Sequence, residues 1–225
     1  MSNDKQLIVF AKSPLPGHCK TRLSPLLGDI KACEFYKSLL SGCFKTISAL
    51  SNTDISIHIY PDTNNSFLSQ LNKKYAYEFL PQRGDNLGER MFLAIRQSLN
   101  KYSKVVLIGS DCPAIDKNYI EAAFHRLKTH DIVFGPATDG GYVLIGANKL
   151  DKRIFSNIPW STDQVLEQSL NQSTSAGYNA GLLQALRDID TPDDYLYYQA
   201  QIANQTFLNF KTNINSGARS GSSTG

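Results

Sequence analysis

A chain of 225 residues, 41% hydrophobic and 19% charged, is long enough for one substantial core and has the balance of a globular domain rather than a disordered segment. Its formal net charge of +3 is too small to argue for a nucleic-acid partner, although it leaves enough cations to surround one anionic ligand. The first residues carry no basic region and the apolar run Leu7 to Ala11 is far too short for a membrane span, so a cytoplasmic protein without a membrane partner is expected.

Gln6 to Ala11 reads as a strand. It opens into Lys12-Ser-Pro-Leu-Pro-Gly-His-Cys-Lys-Thr-Arg-Leu23, a loop punctuated by proline and glycine. Lys12, Lys20 and Arg22 suit a phosphate site between a strand and a helix, where Pro14 and Pro16 donate no amides and side chains supply most contacts. An ordinary solvated basic loop is the other reading of the same residues. From Asp29 to about Leu50, apolar residues recur at three and four (Cys33, Tyr36, Leu40, Cys43, Phe44, Ile47), which predicts an amphipathic helix with its cysteines in the packing. The four cysteines form no Cys-x-x-Cys pair and the four histidines show no ligand spacing, so neither a zinc site nor a disulfide framework is indicated.

Ile55 to Tyr60 alternates as a second strand, Phe67 to Tyr75 forms a shorter helix, and Tyr77 to Leu80 forms a third strand ending at Pro81. A turn from Gln82 then leads into a helix marked by Met91, Ile95, Leu99 and Tyr102. The next strand, Val105 to Gly109, runs into Ser110, Asp111, Cys112 and Pro113, and the proline stops it. Asp111 is thereby delivered to the end of a core strand, where ligands of open α/β sheets bind; it either serves a ligand or caps the helix that begins near Asp116.

Ile115 to Leu127 reads as a helix and Asp131 to Gly135 as a strand. The turn Pro136-Ala-Thr-Asp-Gly-Gly141 brings Tyr142 to Gly146 back too soon for a crossover helix, so one of these two strands runs antiparallel to the rest. Gly140 and Gly141 let backbone approach a ligand or simply make a hairpin. Trp160 reads as a core residue, and Ser161 or Thr162 as the cap of a helix through Val165, Leu166 and Leu170. In Leu186-Arg-Asp-Ile-Asp-Thr-Pro-Asp-Asp194, Thr191, Pro192 and the acids after it suit a helix start. Asp188 and Asp190, two apart in an extended segment, share a face. Alternation of strand and helix predicts one three-layer α/β/α domain over residues 1–210 with a mixed, mostly parallel sheet. The tail, 211–225, is Gly/Ser-rich from Ser216 and is expected to be disordered.

Five motifs in order carry a resemblance: Phe10-Ala-Lys-Ser-Pro to Lys20-Thr-Arg-Leu23, Leu87-Gly-Glu-Arg-Met91, Gly109-Ser-Asp-Cys-Pro113, Gly135-Pro-Ala-Thr-Asp-Gly-Gly-Tyr142 and Asp188-Ile-Asp-Thr-Pro-Asp-Asp194. Together they resemble the family DUF2064, which is glycosyltransferase-A-like, belongs with the nucleotide-diphospho-sugar transferases and is similar to phospholactate guanylyltransferase. The resemblance implies nucleotide binding by Ala11, Lys12, Lys20, Arg22, Gln82 and Gly88. It implies Asp111 as a metal ligand, with Asp188 or Asp190 as the second. Asp139, Gly140 and Gly141 resemble the acceptor-side turn, and Trp160, Ser161 and Thr162 join them as candidate acceptor-binding residues. Lys12, Lys20, Arg22 and Asp111 are the candidate catalytic residues.

The chemistry these residues suit is transfer at phosphorus or at an anomeric carbon, with Mg²⁺ or Mn²⁺ neutralising the nucleotide's phosphates. The expected activity is nucleotidyl transfer from an NTP to a small phosphorylated acceptor. Glycosyl transfer from a nucleotide-sugar, or a non-catalytic nucleotide-binding module, would use the same features.

Overall fold

Strand β1 (Lys5–Lys12) is buried on both faces, with Leu7, Val9 and Ala11 in one core cluster and Ile8 and Phe10 in another. A strand covered on both sides reads as a continuous apolar run, which is the signature of a central parallel strand. The computed structural model, which describes the backbone of residues 3–217 and the side chains of residues 3–204, places β1 between two parallel neighbours. These are β2 (Asp54–Tyr60) and β4 (Lys104–Gly109), and β3 (Glu78–Pro81) extends the sheet beyond β2. The reversal falls where the Gly-Gly turn places it: β6 (Tyr142–Ala147) is antiparallel to both β4 and β5 (Ile132–Pro136). With β7 (Ala180–Leu182) parallel to β5, the strand order is β3-β2-β1-β4-β6-β5-β7, and β4 stands in the middle.

Helices complete three layers. After the short α1 (Ser24–Leu27), α2 (Asp29–Ile47), α3 (Ser66–Tyr75) and α5 (Lys117–Arg126) cover one face around Phe44, Leu68 and Phe124. On the other face α4 (Leu87–Leu99), a 3₁₀ turn at Lys152–Phe155 and α6 (Val165–Ser175) enclose Ile95, Phe134 and Ile145. α7 (Pro192–Gly217) lies on α2, with Tyr195 edge-on to Phe35 at 4.9 Å. It carries residues 211–217 of the expected tail as helix; residues 218–225 lie outside the described residues. All four thiols are free, and burial pushes those of Cys43 and Cys112 up to about 12, as suits packing residues.

One stretch of the sheet's α4 face is polar. Gln6 Nε2 donates to Ser56 Oγ at 3.1 Å, and Ser56 Oγ lies 3.2 Å from His58 Nε2. Phe10 stacks on the imidazole at 5.8 Å. Burial lowers the His58 pKa to about 4, so the folded chain holds it neutral while the unfolded chain protonates it below about 6.5. The contribution is therefore unchanged above pH 6.5, and stability is lost as the pH falls from there towards 4, at up to ~1.4 kcal/mol per pH unit for one proton. Thermal melts at pH 7 and pH 5 should show a larger loss of Tm for the wild type than for His58→Gln; equal losses would mean that His58 is not held neutral.

Candidate active site

The carboxyl ends of β1 and β4 meet over a buried lysine. Lys20, in left-handed backbone with φ 50°, is 7% exposed. Its ammonium reaches Asp111 Oδ2 at 3.0 Å, Asp190 Oδ1 at 3.7 Å and the carbonyl of Ile189. Burial disfavours that charge, but Asp111 and Asp190 outweigh it and raise the Lys20 pKa. Asp111 is likewise drawn up by burial and brought below the ordinary carboxylate range by Lys20. Arg22, exposed beside it, donates to Asp190 Oδ2 at 2.7 Å. Two of the three cations of the first loop therefore converge on one carboxylate, and Lys12 stands exposed at the end of β1.

Asp111 is not a helix cap. Asp116 caps α5, accepting from the Tyr119 amide at 2.7 Å, which leaves Asp111 to the lysine. The Ile189 amide donates to the Asp111 carbonyl at 3.4 Å, so a backbone contact holds the 188–190 segment against the end of β4. This segment is less strand-like than its sequence suggests: Leu186 makes only an isolated parallel bridge with Ala137. Thr191 is the cap of α7 in a reciprocal arrangement, its Oγ1 accepting from Asp194 N while Asp194 Oδ2 accepts from Thr191 N at 2.8 Å. Asp188 differs from its neighbours in having no ion pair or hydrogen-bonded cation among the described residues. Burial, then Asp111 and Asp139, raise its pKa to about 6 against the pull of Lys20.

A cavity of about 390 Å³ opens here, lined by Arg22, Asp188 and Asp190 on one side and by Asp139, Gly141, Trp160, Ser161 and Thr162 on the other. The far wall is one interlocked unit. Gly140 has φ +90°, a Cβ there would lie 2.1 Å from the Asp163 carbonyl oxygen, and its own carbonyl accepts from Leu166 N at 2.9 Å. Trp160 meets Tyr142 edge-on at 6.4 Å and lies so close to Gly88 that an added Cβ would sit 2.4 Å from its ring. Ser161 and Thr162 do not cap α6, whose N-cap is Gln164 without a side-chain bond. Thr162 instead turns the loop, donating to the Pro159 carbonyl at 2.7 Å, and Asp163, not singled out by sequence, lines the same wall.

Ala11, Gln82 and Gly88 do not line this cavity. Ala11 is 3% exposed and its carbonyl accepts from Gln82 Nε2 at 3.1 Å. The same Gln82 nitrogen donates to the His58 carbonyl at 3.0 Å, so Gln82 ties the ends of β1, β2 and β3 together. Gly88 is buried beneath Trp160. Sequence reasoning passed over Tyr36 as a core residue. Its buried hydroxyl accepts from the Lys12 amide at 2.7 Å and bonds Ser110 Oγ at 2.9 Å, bracing the residues next to Asp111 against the end of β1.

Among the described residues no three His, Cys, Asp or Glu side chains are placed to hold a metal ion. Asp111 and Asp188, close enough for one to raise the pKa of the other, fit a cation that takes one or two carboxylates and completes its shell with phosphate and water, as Mg²⁺ does. They do not make an all-protein cage.

The family model described as "Uncharacterized protein conserved in bacteria (DUF2064)" matches residues 43–162, just over half of the chain. The chain belongs to the DUF2064 family. It is 26% identical over 192 residues to 2-phospho-L-lactate guanylyltransferase of Methanocaldococcus jannaschii, covering 84% of this chain and 80% of that one. The enzyme of the same name from Methanobrevibacter smithii is 28% identical over 123 residues, and this match spans 53% of its length. A solved structure from Desulfovibrio desulfuricans G20, assigned as a nucleotide-diphospho-sugar transferase, superposes with a TM-score of 0.76 at 30% identity over 84% of this chain and 83% of that one. The DUF2064 chain thus has the nucleotide-diphospho-sugar transferase fold, and its relatives are transferases.

Two expectations follow from this geometry. A carboxylate held at a raised pKa costs stability once it must ionise, so Asp188 is neutral in cost below about pH 3.8 and opposes folding most fully above about 6. Asp188→Asn should therefore raise Tm at pH 7 without added divalent ions, with the gain shrinking as pH approaches 4; no gain at pH 7 would mean that Asp188 is compensated. Tyr36→Phe should cost about 1–3 kcal/mol, the cost of a buried amide left unpaired, and should also weaken nucleotide binding measured by calorimetry. Unchanged stability in urea melts would remove Tyr36 from this role.

Proposed function

We propose that this chain is a metal-dependent nucleotidyltransferase, moving a nucleotidyl group from an NTP to a small phosphorylated acceptor. One observation carries the reading: Asp188, half-buried and without an ion-pair partner among the described residues, stands near Asp111 at the carboxyl edge of the middle strand, beside a cationic loop. The guanylyltransferase names of the relatives support it. An acceptor phosphate oxygen attacks the α-phosphorus, the bond from that phosphorus to the bridging oxygen breaks, and pyrophosphate leaves with the electron pair. Lys12 and Arg22, both exposed, bind phosphate oxygens, Arg22 through its fork of donors. Lys20 keeps Asp111 and the 189–190 backbone in place. Asp111 and Asp188 would hold Mg²⁺ or Mn²⁺, which neutralises phosphate charge when bound. Asp190, already engaged by Arg22 and Lys20, orients those cations.

A second reading rests on the charge of the far wall. Asp139 and Asp163 line it beside Ser161 and Thr162, and among the described residues Arg22 is the only cation lining the cavity. That wall suits a neutral, hydroxyl-bearing acceptor, which is the acceptor of glycosyl transfer from a nucleotide-sugar. Incubation with Mg²⁺, each NTP and a panel of phosphorylated acceptors should release pyrophosphate, and Asp111→Asn should lower the rate by about 100-fold or more, as loss of a key electrostatic group does. Absence of pyrophosphate with every NTP, together with release of a nucleoside diphosphate from a nucleotide-sugar, would replace the first reading by the second.

A further inference from the structure

A cavity of about 610 Å³ lies between the carboxyl-terminal half of α4 and the edge of the sheet at β2 and β3. It shares no lining residue with the candidate active site. Among the described residues its charged lining is cationic: Arg83 and Arg96 border it, no carboxylate does, and neither arginine has an ion pair or side-chain hydrogen bond. Leu80, Pro81, Leu93 and Ala94 supply apolar surface.

What distinguishes this cavity from a solvated basic patch is His58, which lines it while only 7% exposed. The polar chain behind the ring engages Nε2. Ser56 Oγ accepts from Gln6 Nε2 at 3.1 Å and lies 3.2 Å from His58 Nε2, where its own hydrogen can meet that nitrogen. A neutral imidazole that accepts at Nε2 carries its proton on Nδ1. That nitrogen has no protein partner among the described residues, and it is not itself fully closed off by protein, although the residue is only 7% exposed. Phe10 holds the ring plane from the strand behind. The nearby Arg90 is engaged elsewhere, its guanidinium 3.8 Å over the Tyr60 ring and its Nε donating to the Gly84 carbonyl at 3.0 Å.

We propose that this cavity is a second ligand site, specific for a small organic oxyanion, a carboxylate or phosphate carried on an apolar body. Arg83 and Arg96 bind the charge, the Nδ1–H of His58 donates to an oxygen, and Leu80, Leu93 and Ala94 receive the apolar part. The site does not depend on the chemistry at Asp111, and its wall α4 continues to Met91, which lines the catalytic cavity.

Phenyl phosphate, benzoate and inorganic phosphate are the probes, titrated into the full chain and followed by ¹H–¹⁵N NMR and by the His58 imidazole resonances. Phenyl phosphate or benzoate should shift Arg83, Ala94, Gln97 and the His58 ring saturably, and more tightly than inorganic phosphate. Arg96→Ala, a change at an exposed side chain, should weaken this binding about 10-fold, the factor expected for one charge-assisted contact. Arg22→Ala should leave it unchanged while abolishing any second set of shifts around Asp188. Shifts confined to the Lys12 to Arg22 loop, loss of the α4 shifts in Arg22→Ala, or identical affinity in Arg96→Ala would each overturn the proposal. None of these outcomes bears on whether pyrophosphate is released, so the two readings fail separately.

Discussion

The ammonium of Lys20 is the contact on which the catalytic edge depends. A lysine almost fully withdrawn from water is tolerated only when its charge is met by partners. Here the partners come from three separate stretches of chain: the loop after β1 supplies the lysine, the end of β4 supplies Asp111, and the segment before α7 supplies Asp190 and the Ile189 carbonyl. Buried neighbours such as Cys19, Leu23, Cys112 and Ile189 pack around the clasp, but non-directional apolar contacts do not fix the three segments as specifically as the ion pairs do. Removing one carboxylate leaves a buried cation short of a partner, which costs more than the pair contributes to stability. The lysine therefore acts as a clasp, and the left-handed backbone at Lys20 is the local cost of turning its side chain inward.

The clasp leaves a deliberate imbalance. Asp111, Asp188 and Asp190 face Lys20 and Arg22, and Asp139 adds a further negative charge close enough to raise Asp188. Folding alone would favour an asparagine at 188. An acid whose ionisation works against the fold is intelligible when a ligand supplies the missing positive charge, which is the part the proposed divalent ion would take. The far wall follows a different logic. It is built by backbone, through the Gly140 carbonyl and the close approach of Asp163, so its polar side chains are presented from a frame that shares none of the clasp's contacts.

Much of the architecture was legible because it rests on local pattern. The double burial of β1 and the three-and-four spacing of Tyr36, Leu40, Phe44 and Ile47 in α2 are readable from the residues, and the short Gly-Gly connection imposes an antiparallel strand on steric grounds. The spacing of Lys12, Lys20 and Arg22 suggested one anion site; in the fold Lys20 and Arg22 meet Asp190 and Lys12 stays exposed at the end of β1. Other features were illegible because they are made by tertiary contact. A lysine in a proline-rich loop has every local reason to be solvated, and its burial appears only when β4 and the 188–190 segment come alongside. Tyr36 has the spacing of a core residue and is one; its hydroxyl acquires a role from Lys12 and Ser110, 24 and 74 positions away. β7, at three residues, is shorter than any periodicity can reveal. Ser161 and Thr162 have good capping side chains, yet the chain turns at Thr162 and the helix starts later, at Val165.

Gly88 shows how a family motif and a physical reading can assign one residue to different tasks. In the motif Leu87-Gly-Glu-Arg-Met91 the glycine falls near the start of a helix, where a backbone amide could face a ligand. In the fold that surface is occupied by the Trp160 ring, and an added Cβ would overlap it. The glycine is thus required for the approach of Trp160, and Trp160 in turn carries the far wall of the cavity onto α4. That makes α4 the shared support of two cavities: Leu87 and Met91 face the acids, while Leu93, Ala94 and Gln97 face the arginines and His58. A helix packed as tightly as this one, with Met91, Ala94 and Ile95 in the core, moves as a rigid element if it moves at all. Gly88 and Trp160 thus join the wall that faces Asp188 to the first turn of the helix whose carboxyl-terminal half lines the second cavity.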